Sequence, residues 1–151
     1  MNWNVYLSGE IHSNWRDEIY KRTKKLGLEI NFFAPVENHS NSDDCGSVIL
    51  GKEELNFWHD HKGAKLNAIR TRKYIENSDI VVVFFGEKYK QWNAAFDAGY
   101  ASALGKSLII IHSEEHQHAP KEIDASALAV VDDLKKVVEI FQYVIKGKLK
   151  N

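Results

Sequence analysis

The sequence predicts a three-layer α/β domain with a mostly parallel five-stranded sheet. Strand-like and helix-like hydrophobic patterns alternate along the 151 residues. The segment 80–85 is a continuous β-branched and aromatic run, which is typical of a central strand buried on both faces. Helical segments lie between the strands, where parallel pairing requires crossover connections.

The chain opens with a predicted strand, a helix and a second strand. Large side chains alternate over residues 3–7, which indicates the first strand. Residues 15–26 carry apolar side chains at helical spacing, and Ser13 is placed to cap the helix start. Alternation over residues 28–32 predicts a second strand, which ends before Pro35 because proline has no N–H to donate.

Residues 36 to about 63 break the pattern with polar and small side chains. A structureless stretch of that length is uncommon in a compact domain and is often functional. We therefore expect this segment to act as a lid over a ligand site.

The remaining elements follow in alternation. They are a helix over 66–75, the strand over 80–85, a helix over 91–104, a strand over 108–111, a short strand over 129–131 and a helix over 134–145. No repeat or interdomain linker stands out, so residues 1–151 are predicted to form a single domain.

Composition excludes several classes of protein. Hydrophobic residues make up 44% and charged residues 27%, which argues against disorder and against a collagen-like chain. Lys and Arg total 20 against 21 acids, so charge gives no reason to expect nucleic acid as a partner. No run approaches the roughly 18 apolar residues of a membrane span. We therefore expect no membrane association. Because Cys45 is the only cysteine, no intrachain disulfide can form, and we expect a reducing, cytoplasmic location.

The turn after the first strand is a candidate binding element. In parallel sheets of this kind, ligands bind at the carboxyl ends of the strands. Gly9 would let backbone amides approach a phosphate or sugar hydroxyl, and the following helix N-terminus attracts anions. A plain strand-to-helix turn explains the single glycine equally well.

The helix predicted over 91–104 carries a candidate catalytic acid. Its expected packed face consists of Trp92, Phe96, Gly99 and Ala103. Asn93, Asp97 and Tyr100 then lie on or beside the edge of that face, near the expected crevice. Asp97 is the candidate acid, and an ordinary solvated aspartate is the alternative.

Four segments carry a resemblance to a known family. Residues 96–101 read Phe-Asp-Ala-Gly-Tyr-Ala and are followed by Leu-Gly-Lys at 104–106, which resembles the Phe-Glu-Leu-Gly-Tyr-Ala and Leu-Gly-Lys-Pro segments of nucleoside 2-deoxyribosyltransferases. Residues 6–9 and 78–83 are similar to the same superfamily, and the bacterial YtoQ-like branch is the most similar. The resemblance implies a flavodoxin-like domain that cleaves N-glycosidic bonds and assembles into dimers or larger oligomers.

The resemblance also implies roles for individual residues. Asp97 takes the place of the family's nucleophilic glutamate, which forms a covalent glycosyl-enzyme without a metal or redox cofactor. Gln91 stands six positions earlier, where the family places a polar residue that holds the sugar or phosphate. Asn93 replaces the family's usual small residue. The expected substrate-binding residues are Tyr6, Ser8, Gly9, Glu10, Gln91 and Asn93.

Two hypotheses about function follow. The first is an enzyme that cleaves a nucleoside or nucleotide and transfers the sugar to another base or to water. The second is a non-catalytic nucleotide- or nucleoside-binding domain, which the shorter carboxylate of Asp97 motivates. An electron carrier or a phosphoryl-receiver domain is disfavoured, because the chain lacks a Ser/Thr-rich phosphate loop and a receiver's acidic cluster.

Other polar residues support weaker interpretations. The sequence 59–61 (His-Asp-His), with His39 and Cys45, supplies zinc-ligand types without the paired spacing of zinc motifs, so a solvated loop is favoured and no metal is expected. Arg70 and Arg72 would be available to an anion, although exposed helical arginines are the usual explanation.

Overall fold

The computed structural model describes residues 2–88 and 90–149. Its strands and α-helices, in chain order, are β1 (Trp3–Gly9), α1 (Trp15–Lys25), β2 (Ile30–Phe33), α2 (His39–Leu50), α3 (His61–Asn77), β3 (Ile80–Phe84), α4 (Trp92–Ala103), β4 (Ser107–Ile111), α5 (Lys121–Ser126), β5 (Ala129–Val131) and α6 (Leu134–Lys146). The domain predicted over 1–151 includes Met1, Tyr89, Lys150 and Asn151, which lie outside the described residues.

All five strands form one parallel sheet in the order β2-β1-β3-β4-β5. The direction of winding reverses between β1 and β3, which is the switch point where such sheets open a crevice. This topology confirms the predicted flavodoxin-like, three-layer fold.

Two apolar layers cover the faces of the sheet. Alternate residues of β3 point to opposite faces, so Val82 packs with α1 and α6, whereas Val81 and Val83 pack with α3 and α4. Residues 80–83 are all buried, as the continuous apolar run predicts.

The prediction of a structureless segment over 36–63 was wrong, because α2 and the first turn of α3 lie within it. The side chain of Asn38 caps α2 by accepting a hydrogen bond from the amide of Asn41 at 2.9 Å. A Cβ on Gly46 would lie 2.1 Å from the amide nitrogen of Gly63, so the two backbones touch where α2 crosses α3. Because α2 packs through this contact between two glycines, its sequence has no hydrophobic periodicity by which a helix could be predicted.

The prediction for the packed face of α4 was also wrong. Trp92 is 74% exposed and Phe96 is 60% exposed, whereas Ala94, Ala98 and Ala101 are buried against the sheet. Small side chains allow the helix backbone to approach the strands closely, and this leaves the large aromatic residues facing outward.

A buried arginine fixes the turn after β1. The guanidinium of Arg16 donates hydrogen bonds to the carbonyl oxygens of Leu7 at 3.0 Å, Glu10 at 2.8 Å and Gly9 at 3.2 Å. Trp15, in the core, donates from its indole nitrogen to the Glu10 carbonyl at 2.7 Å. The carbonyl groups of the turn thereby have hydrogen-bond donors in Trp15 and Arg16, neither of which lines the cleft described below.

In the described part of the chain, no helix has the length and apolar character needed to cross a membrane.

The structure predicts that Gly9 is required for folding. Its φ is +97°, and a Cβ would lie 2.1 Å from the backbone oxygen of Phe84 on the neighbouring strand. Gly9→Ala should lower the free energy of unfolding by about 2 kcal/mol or more, as measured by urea denaturation. Gly99→Ala is the matched control, because Gly99 lies in α4 with open space around it; it should leave stability unchanged or raise it by roughly 0.5–1 kcal/mol. Equal stability of Gly9→Ala and wild type would contradict this account.

Candidate active site

An open cleft of about 590 Å³ lies at the carboxyl ends of β1 and β3. Its walls come from the β1–α1 turn, α2, α3 and α4. A cleft of this size at the switch point of a parallel sheet is the usual place and volume for a small-molecule site.

The cleft contains a serine and an aspartate in direct contact. The hydroxyl of Ser8 donates a hydrogen bond to Oδ2 of Asp97 at 2.5 Å. Ser8 is buried at the end of β1, and Asp97 reaches it from the second turn of α4. Burial raises the pKa of the Asp97 carboxyl to about 6, although the hydrogen bond from Ser8 favours the ionised form. Asp97 is therefore a half-buried carboxylate that titrates near neutral pH.

A buried tyrosine lies close to this carboxylate. The hydroxyl of Tyr6 donates to Oγ1 of Thr71 on α3 at 3.5 Å. Burial and the negative charge of Asp97 raise the pKa of Tyr6 well above its ordinary value. Tyr6 thus stays protonated at neutral pH and presents a neutral hydroxyl in the site.

The β1–α1 turn carries its own anion. The carboxylate of Glu10, which is 6% exposed, accepts hydrogen bonds from the amide of His12 and the hydroxyl of Ser13. The amide of Glu10 donates to the carbonyl of Phe84 at 2.9 Å. The prediction that Ser13 caps α1 was wrong. Asn14 is the residue before the helix, and its side chain makes no capping hydrogen bond. The carboxylate of Glu10 therefore occupies one amide of the turn that was predicted to bind a ligand.

Gln91 and Asn93 lie at the start of α4 and both line the cleft. The Oε1 atom of Gln91 is buried and has no hydrogen-bond partner among the residues that the structure describes. Gly86 makes room here, since a Cβ at that position would lie 2.2 Å from Cγ of Glu10. All of the predicted site residues line this one cleft: Tyr6, Ser8, Gly9, Glu10, Gln91, Asn93 and Asp97.

Sequence reasoning missed the wall formed by α2 and α3. Ser42 and Asp43 of α2 and Asn67 of α3 line the cleft, and the side-chain amide of Asn67 donates to the Ser42 carbonyl at 2.9 Å. The predicted lid segment is thus a helix beside the cleft, and the helix cap at Asn38 was the signal that would have located it.

The other weak candidates do not assemble into a site. In the range 2–88 and 90–149, no group of three or more His, Cys, Asp or Glu side chains is placed to hold a metal ion. Asp60 lines the cleft, but its neighbours His59 and His61 do not. Arg70 and Arg72 both line the cleft.

Comparisons with known proteins agree with this architecture. The family described as nucleoside 2-deoxyribosyltransferase YtoQ matches residues 6–145. A Bacillus subtilis (strain 168) protein described as "Uncharacterized protein YtoQ" is 44% identical over 146 residues, which cover 97% of this chain and 99% of that protein.

Two solved structures share the fold at low identity. A 2-deoxyribosyltransferase from Bacillus psychrosaccharolyticus is 19% identical, with a TM-score of 0.53, and the match covers 89% of this chain and 90% of that one. The CMP N-glycosidase BcmB from Clostridium botulinum is 12% identical, with a TM-score of 0.52, over 92% of this chain and 98% of that one. The family match spans most of the sequence and confirms the resemblance carried by its motifs: the chain belongs to the nucleoside 2-deoxyribosyltransferase YtoQ family.

Proposed function

We propose that this protein cleaves the N-glycosidic bond of a nucleoside or nucleotide, with Asp97 as the nucleophile, and transfers the sugar to another base or to water. The observation that carries the proposal is the 2.5 Å hydrogen bond from Ser8 to Asp97 inside the cleft, at the position that matches the family's nucleophile. The family description and the two solved structures support nucleoside glycosyl transfer at the family level.

In the first step, the Asp97 carboxylate attacks the anomeric carbon of the sugar through an oxocarbenium-like transition state. The new bond joins the carboxylate oxygen to that carbon, and the base leaves with the electron pair of the broken C–N bond and takes up a proton. Ser8 holds Oδ2, and Oδ1 has no hydrogen-bond partner among the described residues, which leaves it available to attack.

In the second step, water or another base attacks the same carbon from the opposite side and displaces the carboxylate. The attacking water loses an O–H proton, or the attacking base an N–H proton, to solvent, and Asp97 returns to its ionised form. Ser8, which donates to Oδ2 of Asp97, stabilises the charge of the carboxylate when it leaves.

The close packing of α4 on the sheet compensates for the side chain of Asp97 being shorter than the family's glutamate. Aspartate lacks one methylene group of the family's glutamate, which shortens the side chain. Ala94 and Ala98, on either side of Asp97 in the helix, are buried against the sheet. A helix seated closely on the strands carries the backbone of Asp97 toward the crevice, and this supports a productive position for its carboxylate.

The remaining site residues are proposed to bind the substrate. The carboxylate of Glu10 has acceptor positions beyond those used by the His12 amide and the Ser13 hydroxyl, and with the unpartnered Oε1 of Gln91 it would accept from sugar hydroxyls. Asn93 offers an amide to the base. Gly9 lines the cleft with backbone alone.

The alternative is a domain of the same fold that binds a nucleoside or nucleotide without turnover, and the aspartate in place of glutamate favours it. Both hypotheses place a small molecule in the same cleft, so only a measurement of bond cleavage separates them. The single cysteine and the balanced charge support a cytoplasmic protein that acts on a small molecule rather than on nucleic acid or membranes.

We also propose that the protein is a homo-oligomer assembled through the outer face of α4. Trp92 and Phe96 are largely exposed there, and Phe96 stacks on Tyr100 with ring centroids 6.4 Å apart. Phe96 and Tyr100 also line the cleft, so a second copy seated on this face would extend the cleft wall. A large exposed aromatic surface of this kind is typical of protein interfaces.

Light scattering should therefore show a dimer or larger species at micromolar concentration. The double variant Trp92→Glu and Phe96→Glu should shift it to monomer, because it places charges in the proposed interface. Val144→Glu on α6, on the opposite face of the sheet, is the matched control and should not change the mass. A wild-type monomer across micromolar concentrations would remove this proposal.

Asp97→Ala and Asp97→Asn should fold and should lose at least about 1,000-fold in kcat on the nucleoside or nucleotide that the wild type cleaves, because the covalent step is removed. Release of free base from a panel of nucleosides and nucleotides measures this loss. A 2-fluoro substrate analogue, which slows breakdown of the intermediate, should leave a sugar adduct on the wild-type peptide that contains Asp97.

Asp17→Asn is the control for this experiment, since Asp17 is an exposed acid of α1 and does not line the cleft. Wild-type turnover by Asp97→Ala would overturn the assignment of the nucleophile. Failure of the wild type on the whole panel would favour the non-catalytic binding domain.

The pH dependence of kcat/KM gives a separate test. The folded-state pKa of Asp97 is about 6, so the nucleophilic carboxylate forms as the pH rises through 6, and activity should rise on an acidic limb there. Ser8 stabilises the ionised form, so Ser8→Ala should raise the pKa of Asp97 and move the limb to higher pH. Ser126→Ala, which removes a hydroxyl from α5, should leave the limb in place. An unmoved limb in Ser8→Ala would show that Ser8 does not set the ionisation of the nucleophile.

A further inference from the structure

Two arginines line the cleft, and the proposed reaction at Asp97 does not use either of them. Arg70 and Arg72 project from α3 and lie on either side of Thr71, whose hydroxyl accepts the hydrogen bond from Tyr6. The charge of Arg70 acts on the hydroxyl of Tyr6, and this places the guanidinium on the tyrosine side of the site.

Within the described residues, neither guanidinium is paired with an acid. The ion pairs recorded there involve other cations, and neither Arg70 nor Arg72 donates a hydrogen bond. Two acids of the cleft are already engaged, because Glu10 accepts from the β1–α1 turn and Asp97 accepts from Ser8. The positive charge on this wall is therefore available to an anion that the ligand brings.

The guanidinium of Arg70 is held in place by an aromatic stack. It lies 4.8 Å from the ring centroid of Tyr74, and Tyr74 in turn stacks on Phe33 of β2 with centroids 4.7 Å apart and planes inclined by 7°. Stacking on a ring leaves the in-plane N–H groups of an arginine free to donate. A fork of this kind matches the oxygens of a phosphate group, and less side-chain entropy is lost when it binds.

In the β1–α1 turn, the carboxylate of Glu10 already occupies the place that a ligand anion would take. The amide of His12 lies in the β1–α1 turn, three residues before α1, and it donates to the carboxylate of Glu10. A phosphate placed there would have to displace Glu10 and would meet its negative charge. Electrostatics therefore favours the α3 wall, with Arg70 and Arg72, over this turn for a ligand phosphate.

We propose that the cleft takes a nucleotide rather than a nucleoside, and that Arg70, assisted by the positive charge of Arg72, binds a phosphate monoester on its sugar. The inference rests on the proposed function for the nucleoside part of the ligand, whereas the phosphate subsite is measured by binding and needs no turnover. A 5′-phosphate and a 3′-phosphate present the same chemistry, and the experiment separates them.

Binding is measured by calorimetry in Asp97→Asn, which prevents cleavage during the titration. The probes are the common nucleosides and deoxynucleosides, each compared with its 5′-monophosphate and its 3′-monophosphate. One of the two monophosphates should bind at least about tenfold more tightly than the nucleoside. Inorganic phosphate at millimolar concentration should weaken binding of that monophosphate.

Adding Arg70→Ala should reduce the ratio of nucleotide to nucleoside affinity toward one, and Arg70→Lys should retain part of the ratio because it keeps the charge without the fork. Arg72→Ala should reduce the ratio less. Lys73→Ala is the matched control, since it removes a positive charge from the same helix outside the cleft, and it should leave the ratio unchanged.

Equal affinities for nucleoside and both monophosphates, a ratio that survives Arg70→Ala, or no nucleotide binding at millimolar concentration would each overturn the phosphate subsite. These results are distinct from failure of the proposed reaction. If wild-type protein releases no base but the affinity ratio still depends on Arg70, the reaction is wrong and the subsite stands. If nucleosides are cleaved as efficiently as nucleotides, the reaction stands and the subsite is wrong.

Discussion

The site depends on the hydrogen bonds that the buried guanidinium of Arg16 makes beneath the β1–α1 turn. It donates to the carbonyl oxygens of Leu7 and Gly9, the two neighbours of Ser8, and also to that of Glu10. With the backbone held on both sides, Ser8 is placed where its hydroxyl donates to Asp97. The cost of burying a cation is offset by these carbonyl dipoles and by the carboxylate of Glu37 at 3.7 Å.

Close packing fixes the position of the turn relative to the rest of the cleft. Gly9 touches the backbone of Phe84, which ties the turn to β3, and the alanine face of α4 seats that helix on the same sheet. Asp97 is then drawn out of water beside Tyr6, and the loss of hydration raises its pKa. The properties of the carboxyl group thus come from backbone packing as much as from neighbouring polar groups.

The sequence predicted the sheet well and the helix surfaces poorly, for physical reasons. Buried parallel strands require continuous apolar runs, so residues 80–83 can be recognised as a central strand from the sequence. The orientation of α4 depends instead on how closely the helix approaches the sheet, and Ala94 and Ala98 achieve this without a strong hydrophobic signal. Likewise, α2 rests on the contact of Gly46 with Gly63, two residues whose proximity no local pattern encodes.

The same distinction applies to the candidate site. The candidate site residues were predicted from the family resemblance and from the turn after the first strand, and all of them line one cleft. The roles of the charged residues were not predictable from their type. The sequence shows which residues are charged, whereas the fold determines which group each charge contacts. Arg16 is a cation in the core, and Glu10 is a carboxylate whose oxygens accept from the His12 amide and the Ser13 hydroxyl of its own turn.

This arrangement of charge gives the cleft two chemically different walls. On the side of β1 and α4, each carboxylate has an internal donor, Ser8 for Asp97 and the turn for Glu10, so that wall presents negative charge held by the protein around the proposed reacting carbon. On the side of α3, the guanidinium groups have no acidic partner among the described residues. A ligand with a cationic transition state at one end and a permanent anion at the other is complementary to both walls at once. An oxocarbenium ion that forms on a phosphorylated sugar has this distribution of charge, so the proposed reaction and the proposed phosphate subsite place the same molecule in the same orientation.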